Sequence, residues 1–259
     1  MVVLVSIDGL RPDAIDAADC PRLRALRARS AHTARARTVM PSITLPCHTS
    51  LFHGVPPERH GITTNTFTPM ARPVQGLIDL AHSYGRRCAM FYNWEALRDV
   101  ARPEKLALSL FKYHGHEAGS DQVIADWTAT WLNREAFDFA FVYFGMTDEM
   151  GHRYGWMSEG YLEQVAVTDR ALGTLLDALP AEAHVLVQSD HGGHDRTHGT
   201  EMDEDMQIPW MLSGPGVRAG HTLSGPVSIL DSAPTLAHLL ELRAPKEWEG
   251  RVVAEAFAS

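Results

Sequence analysis

Four short, almost wholly apolar runs recur along this chain, at 2–7, 87–92, 137–144 and 184–189, and stretches with helical patterning lie between them. Runs this short and unbroken suit strands covered on both faces, as in a parallel sheet. The helical patterns fall at 21–29, 121–133, 161–179 and 232–242. The last follows Asp231 and carries Pro234 in its first turn, an acceptable helix start. Alternation of this kind predicts an α/β fold, a central mostly parallel sheet with helices on both faces. Strand order is not readable at this level.

At 259 residues the chain is long enough for one substantial core, so 1–259 reads as one domain. Residues 66–120 are less regular and hold Pro69, Pro73 and Pro103. A small cap or substrate-selecting insertion there is weighed against ordinary connecting structure, which the lack of linker composition favours. Acids outnumber Lys and Arg by 32 to 23, a net charge of −9, which argues against a broad nucleic-acid surface. A small anion is still admissible, because a bound cation dominates its local field. Cys20, Cys47 and Cys88 are too few and scattered for a disulfide framework, and no CxxC pair is present. No apolar run approaches the roughly 20 residues that span a bilayer. The opening MVVLVSIDG is a strand followed by an acid, without the features of a secretory signal, so the expectation is a soluble, cytoplasmic protein.

Acids and histidines gather just past the strand ends. Asp8 follows the first run, Asp148 lies just past the third, and Asp190-His191 follows the fourth. Ligand sites in open α/β sheets lie beyond the carboxyl ends of strands, so three strands deliver carboxylates to one edge. Each piece alone has a plainer reading: Asp8 as a turn cap, Asp148 and His152 as an i,i+4 surface pair, His198-Gly199 as a loop. Together the six residues Asp8, Asp148, His152, Asp190, His191 and His198 supply the carboxylate–imidazole mixture expected for zinc or a similar cation. Thr44, within PSITLPCHTS, sits at a loop-to-helix transition. It reads either as an N-cap or as a hydroxyl beside an anion site, reactive only if a base or metal activates it.

Seven ordered segments carry a resemblance: SIDGLRPD at 6–13, PSITLPCHTSLFHGVPPERHGITTN at 41–65, TDEMGHRYG at 147–155, SDHGGHD at 189–195, THGT at 197–200, IPWMLSGPGV at 208–217 and SILDSAPTLAHLL at 228–240. In these the chain resembles the alkaline phosphatase superfamily, within it the nucleotide pyrophosphatase/phosphodiesterase-like branch. The resemblance covers nearly the whole chain, most weakly at 66–136, and implies an alkaline phosphatase-like fold. It implies that Asp8, Thr44, Asp190 and His191 surround one metal and that Asp148, His152 and His198 hold a second. Both would be divalent ions, zinc before manganese. Thr44 matches the nucleophile of a T-x-P-x-H pattern, and Asn65 matches an asparagine that contacts a non-bridging phosphate oxygen. Two such cations, roughly 4 Å apart, suit in-line displacement at phosphorus.

Departures narrow the reading. The C/S-x-P-x-R motif of the sulfatase relatives is absent, and no arginine is assignable as the phosphate grip of the classical monoesterases. Arg11 reads as a structural ion pair. The acidic run 201–205 reads as a solvated loop, against the sharper idea that it rims the site. His48, His60 and His194 read as local supporting groups, and Phe67, Tyr92 and Trp94 as candidates to touch a leaving group or base. The expectation is a two-metal phosphodiesterase or nucleotide pyrophosphatase acting through Thr44 on a small phosphate ester, a nucleotide among the candidates, with no extended nucleic acid and no membrane as partner. A phosphomonoesterase or phosphonate (phosphonoacetate-type) hydrolase is the enzymatic alternative. An inactive metal- or nucleotide-binding module is the non-enzymatic one.

Overall fold

A computed structural model describes residues 1–113 and 119–258. Its eight strands are β1 (Val2–Ile7), β2 (Ala31–Arg37), β3 (Cys88–Tyr92), β4 (Leu108–Phe111), β5 (Phe139–Phe144), β6 (His184–Gln188), β7 (Gln207–Ser213) and β8 (His221–Thr222). They form one sheet in the order β4-β3-β5-β1-β6-β7-β2-β8. Every neighbouring pair is parallel except β6 with β7 and β7 with β2, so β7 alone runs against the rest. The expected mostly parallel sheet is found, with a mixed edge.

The unbroken apolar runs have the expected cause. In β1, Val2 and Leu4 enter one core while Val3, Val5 and Ile7 enter the other, as the two-residue period of a strand requires. β5 divides likewise, Phe139, Phe141 and Tyr143 against Ala140, Val142 and Phe144. Helices Thr44–His53, Leu77–Ser83 and Ser232–Leu239 cover the first face, and Pro21–Ala28, Ser120–Leu132 and Glu159–Ala178 the second.

Four strands, β2, β4, β7 and β8, fall outside the apolar runs of the sequence. β2 reads AHTARAR, rich in residues with little strand preference. β7 contains Pro209, which cannot donate to a ladder. The register between these two strands shifts between Thr33 and Ala36, which face Trp210 and Ile208, so the irregularity lies opposite Pro209. Within 66–120, β3 and β4 belong to the central sheet.

β1 is flanked by β5 and β6, all parallel, with Ile7 level with Phe144 and Ser6 level with Gln188. The residues just past these three strand ends therefore emerge side by side, and the ladder continues one step further through the Asp8 N–H to the Phe144 carbonyl, 2.9 Å. That edge is where the acids collect.

Candidate active site

Asp8 leaves β1, Asp190 and His191 leave β6, and the three form a buried cluster. The Nε2 of His191 lies 3.2 Å from Asp8 Oδ1 and 3.4 Å from Asp190 Oδ2. Asp148, His152 and His198 form a second cluster nearer solvent, with Asp148 and His152 on helix Met146–Tyr154. There the two imidazole Nε2 atoms are 3.1 Å apart, and Asp148 lies 3.5 Å from His152 and 3.6 Å from His198. Ligand-type atoms within each cluster lie within 4.8 Å of one another. The rings of His191 and His198 stack at 3.9 Å and join the two groups. All six residues singled out in the sequence thus meet, in the two sets the resemblance implies.

The proton inventory fits cation binding. Each of the three imidazoles places Nδ1 on a backbone carbonyl: His191 on Gly192 at 2.8 Å, His152 on Arg196 at 3.0 Å, His198 on Ser42 at 2.8 Å. A carbonyl only accepts, so Nδ1 carries the proton and the Nε2 lone pair is free for a ligand bond. Among the described residues, the buried carboxylate oxygens that accept no hydrogen bond are Asp8 Oδ1, Asp148 Oδ1 and Asp190 Oδ2, one from each acid. Buried polar atoms are ordinarily partnered, and one cation beside each cluster would satisfy all three.

Charge tells the same story. Burial, then the charges of Asp190 and Asp148, holds the Asp8 carboxyl well above the usual carboxylate range. Burial lifts Asp190 to about 6 and, with a smaller push from Glu149, Asp148 to about 8. Burial lowers His198, and burial together with nearby His198 lowers His191 well below the usual imidazole range. Acids held towards neutrality beside neutral imidazoles make a site short of positive charge.

Thr44 is the first residue of helix Thr44–His53, whose N-cap is Ile43. The cap reading therefore fails, and the Thr44 hydroxyl instead lies 3.3 Å from His191 Nε2. Asn65 accepts the Leu45 N–H through Oδ1 at 3.0 Å, which leaves its amide NH₂ as the donating half. Thr44 and Asn65 line a hollow together with Asp8, Asp148, His152, His198, Trp94, Tyr143, Gly145 and Glu149, and among the described residues no Lys or Arg is in that wall. Of the three aromatics proposed from sequence, Trp94 is there, Tyr92 is core, and Phe67 lines a separate hollow.

The supporting residues were only partly legible. Gly9, at φ +65°, lets the chain turn sharply after Asp8, and a Cβ there would come within 3.1 Å of Asp148. His48 binds Ser6 Oγ and the Thr44 carbonyl and lies 3.4 Å from Asp190; His60 binds Ser50, and His194 binds Asp205, as the supporting role requires. Arg11 pairs with Asp13 as expected, and donates to the Gly193 carbonyl at 3.1 Å.

The acidic run needs correction at one residue. Asp205 is fully buried and accepts from His194 Nδ1 and from the Thr200 N–H and hydroxyl, between 2.8 and 2.9 Å, so it staples the loop that carries His198. None of 201–205 lines the hollow.

Two groups went unnoticed in the sequence. Tyr143, inside the apolar run of β5, donates its hydroxyl to Asp8 Oδ2. Asp121, inside a helical pattern, is fully buried and accepts from Thr168 Oγ1 at 2.7 Å, Asn93 Nδ2 at 2.8 Å and the Met146 N–H at 3.3 Å. Asn93 Oδ1 takes the Gly145 N–H at 3.0 Å. The helix bearing Asp148 starts at Gly145, which has no side chain to cap it, so Asp121 and Asn93 cap it from across the fold. A polar residue at a period-matched core position is the signal that could have flagged Asp121.

The fold and the clustering of acids and histidines at this edge define an α/β domain of the alkaline phosphatase superfamily. The chain belongs to the type I phosphodiesterase / nucleotide pyrophosphatase family, which matches residues 2–212. It is 28% identical over 222 residues to ectonucleotide pyrophosphatase/phosphodiesterase family member 7 of Homo sapiens, covering 74% of this chain and 47% of that protein. It is 27% identical over 216 residues to a bis(5'-adenosyl)-triphosphatase of Xenopus laevis, covering 74% and 46%. The chain spans about half the length of the curated relatives it matches. Murine ectonucleotide pyrophosphatase/phosphodiesterase 5, solved in an inactive form with AMP, superposes with a TM-score of 0.84 at 17% identity, covering 99% of both chains. The phosphonate monoester hydrolase of Agrobacterium radiobacter reaches 0.79 at 16% identity, over 99% of this chain and 76% of that one. Among the described residues no helix is long and apolar enough to cross a membrane.

Proposed function

We propose that this chain hydrolyses small phosphate diesters or nucleotide pyrophosphate bonds through a covalent Thr44 intermediate, with two divalent cations, zinc before manganese. Asp8, Asp190, His191 and Thr44 would hold one ion and Asp148, His152 and His198 the other. Bound there, the ions would make the hydroxyl a better nucleophile and offset charge on the phosphate oxygens. Thr44 Oγ1 forms a bond to phosphorus as the bond to the leaving oxygen breaks, and its proton ends on the departing group. Water then cleaves the Thr44–phosphorus bond. Asn65 donates its NH₂ to a non-bridging oxygen, and Trp94 offers an apolar face to the leaving group or base. The whole of 1–259 is read as one catalytic domain, to which 66–120 contributes sheet strands and Trp94 rather than a separate cap. Relatives named as nucleotide pyrophosphatases support this reading.

The observation that carries the choice of ester is the lining. A monoester dianion calls for a cationic clamp, and the hollow has no Lys or Arg and includes Glu149. A diester monoanion needs only the ions and Asn65. Matched kinetics on p-nitrophenyl phosphate, bis-p-nitrophenyl phosphate, a thymidine monophosphate nitrophenyl ester and phosphonoacetate, with zinc and with manganese, test it. Higher kcat/KM on the diesters is expected. A tenfold preference for the monoester or phosphonoacetate, about 1.4 kcal/mol of transition-state discrimination, overturns it in favour of a monoesterase or phosphonate hydrolase. No turnover of any substrate would favour a binding module.

A further inference from the structure

Trp156 touches two residues of the outer cluster and the residue that follows Asp8 of the inner one, without belonging to either cluster. Its indole N–H donates to the Gly9 carbonyl at 2.8 Å, one residue past Asp8. Its ring stands edge-on to His152, with centroids 5.1 Å apart at 84°, and to His198, 5.8 Å apart at 69°. Its backbone N–H donates to the Asp195 carbonyl at 2.7 Å, so the loop ahead of His198 is tied to the same residue. The side chain is buried.

The slot that receives it is built from two glycines. A Cβ on Gly151, in the helix of Asp148 and His152, would come within 2.6 Å of the indole; one on Gly193, in the loop that leads to His198, within 2.3 Å. Real Cβ atoms do not approach so closely, so both backbones lie directly against the ring. The helix and the loop that contribute the outer imidazoles are thus spaced by the thickness of one indole. His152 is the most exposed of the six ligand candidates, at 44%, and has the least surrounding packing to hold its ring.

We infer that Trp156 is the positioning residue of the outer cation site, a spacer that sets the distance between His152 and His198 and ties both to the strand end beside Asp8. The inference rests on the two-cation reading above. Any buried tryptophan has to place its N–H on an acceptor, but core filling alone does not call for edge contacts to both outer imidazoles or for a slot between the two backbones that carry them. Removing groups that orient metal ligands commonly costs about 10–100-fold in metal affinity.

The test is titration of the metal-free chain with Zn²⁺ against a chromophoric chelator, for the wild type, W156F, W156L, G193A and H198A. Thermal melting of each metal-free form serves as the folding control. The wild type should bind two ions and H198A should lose the weaker. W156L should bind the first ion as the wild type does and the second about 10–100-fold more weakly. W156F, which keeps a ring but loses the N–H, should fall between, and G193A, whose methyl group enters the slot, should weaken the second ion alone. If W156L does not fold, W156F and G193A decide the matter. Variants that bind the second ion with wild-type affinity overturn the spacer role while leaving the two-cation reading intact. A wild type that binds fewer than two ions, or an H198A that binds as the wild type does, overturns the two-cation reading itself.

Discussion

The inner and outer clusters use the same chemistry on different supports. Asp8, Asp190 and His191 lie one to three residues beyond adjacent parallel strands, all nearly inaccessible, and their backbone is held close to the sheet ladder. Asp148, His152 and His198 sit on a helix and a loop, and their geometry depends on Asp121, Asn93, Asp205 and Trp156 from elsewhere in the chain. A site built on strand ends inherits the rigidity of the sheet, whereas a site on a helix and loop has to be held by side chains. The inner site should therefore bind its cation more tightly and tolerate fewer substitutions.

The strongest test is at the residue that faces the inner cluster. Thr44→Ala should reduce kcat by at least about 10³-fold, as loss of a nucleophile does, while at saturating Zn²⁺ both ions stay bound through the remaining carboxylates and imidazoles. Because Thr44 is not the helix cap, stability should fall by no more than about 1 kcal/mol. Single-turnover kinetics alongside thermal melting check both, and a variant that keeps most of its turnover removes the covalent step from the mechanism. Metal analysis of Asp8→Ala and Asp148→Ala then sharpens the contrast. The first should lose the tight ion and most of the activity; the second should lose the weak ion alone and keep the tight one. Equal loss of both ions in Asp148→Ala would show that the sites do not differ in the way proposed.

Tyr143→Phe removes the hydroxyl that holds Asp8 while keeping the buried ring. We expect the inner ion to bind about 10–100-fold more weakly, with the outer ion unaffected, a mirror image of the Trp156 variants. Chelator competition reads this directly. The smallest effect concerns pH. Asp190 and Asp148 are raised in the fold, to about 6 and about 8. A carboxyl raised on folding contributes stability that is present below its ordinary pKa and is lost as pH climbs through the folded value. Below about pH 6.5 the imidazoles lowered by burial oppose this trend. The metal-free chain should therefore melt at progressively lower temperature from about pH 7 to about pH 8, where Asp148 ionises and the imidazoles are neutral in both states. Saturating Zn²⁺ should reverse the trend, since ligand carboxylates bind cations only when deprotonated. A metal-free melting temperature that rises across that window contradicts the assignment.

Most of the architecture was legible because both faces of the central strands are buried. Nearly continuous apolar runs located β1, β3, β5 and β6 to within two residues. The short strands β4 and β8 escaped, and so did β2 and β7, because an Ala/Arg-rich segment and a strand containing Pro209 carry little local preference and their pairing is supplied by each other across a shifted register. Five of the six ligand candidates converge because each lies just beyond a strand end or one helical turn further, and His198 is brought in by the loop that Asp205 staples. Tyr143 did not stand out, since nothing local separates a tyrosine in an aromatic strand from its neighbours, and Asp121 carried only the signal of an acid at a core position of its helix, with its partners elsewhere in the chain.

By itself the sequence determined which strands carry the acids and which histidines accompany them, because strand period and end position are local properties of the chain. That Asp8 and Asp190 share one set and Asp148 stands in another was implied by the resemblance, but its physical basis is tertiary, since it depends on β1 lying between β5 and β6. Only the tertiary structure decided that Asp205 is a buried staple rather than a solvated acid, and that Trp156 fills the slot between Gly151 and Gly193. Those contacts join residues far apart in the chain, and only packing brings them together.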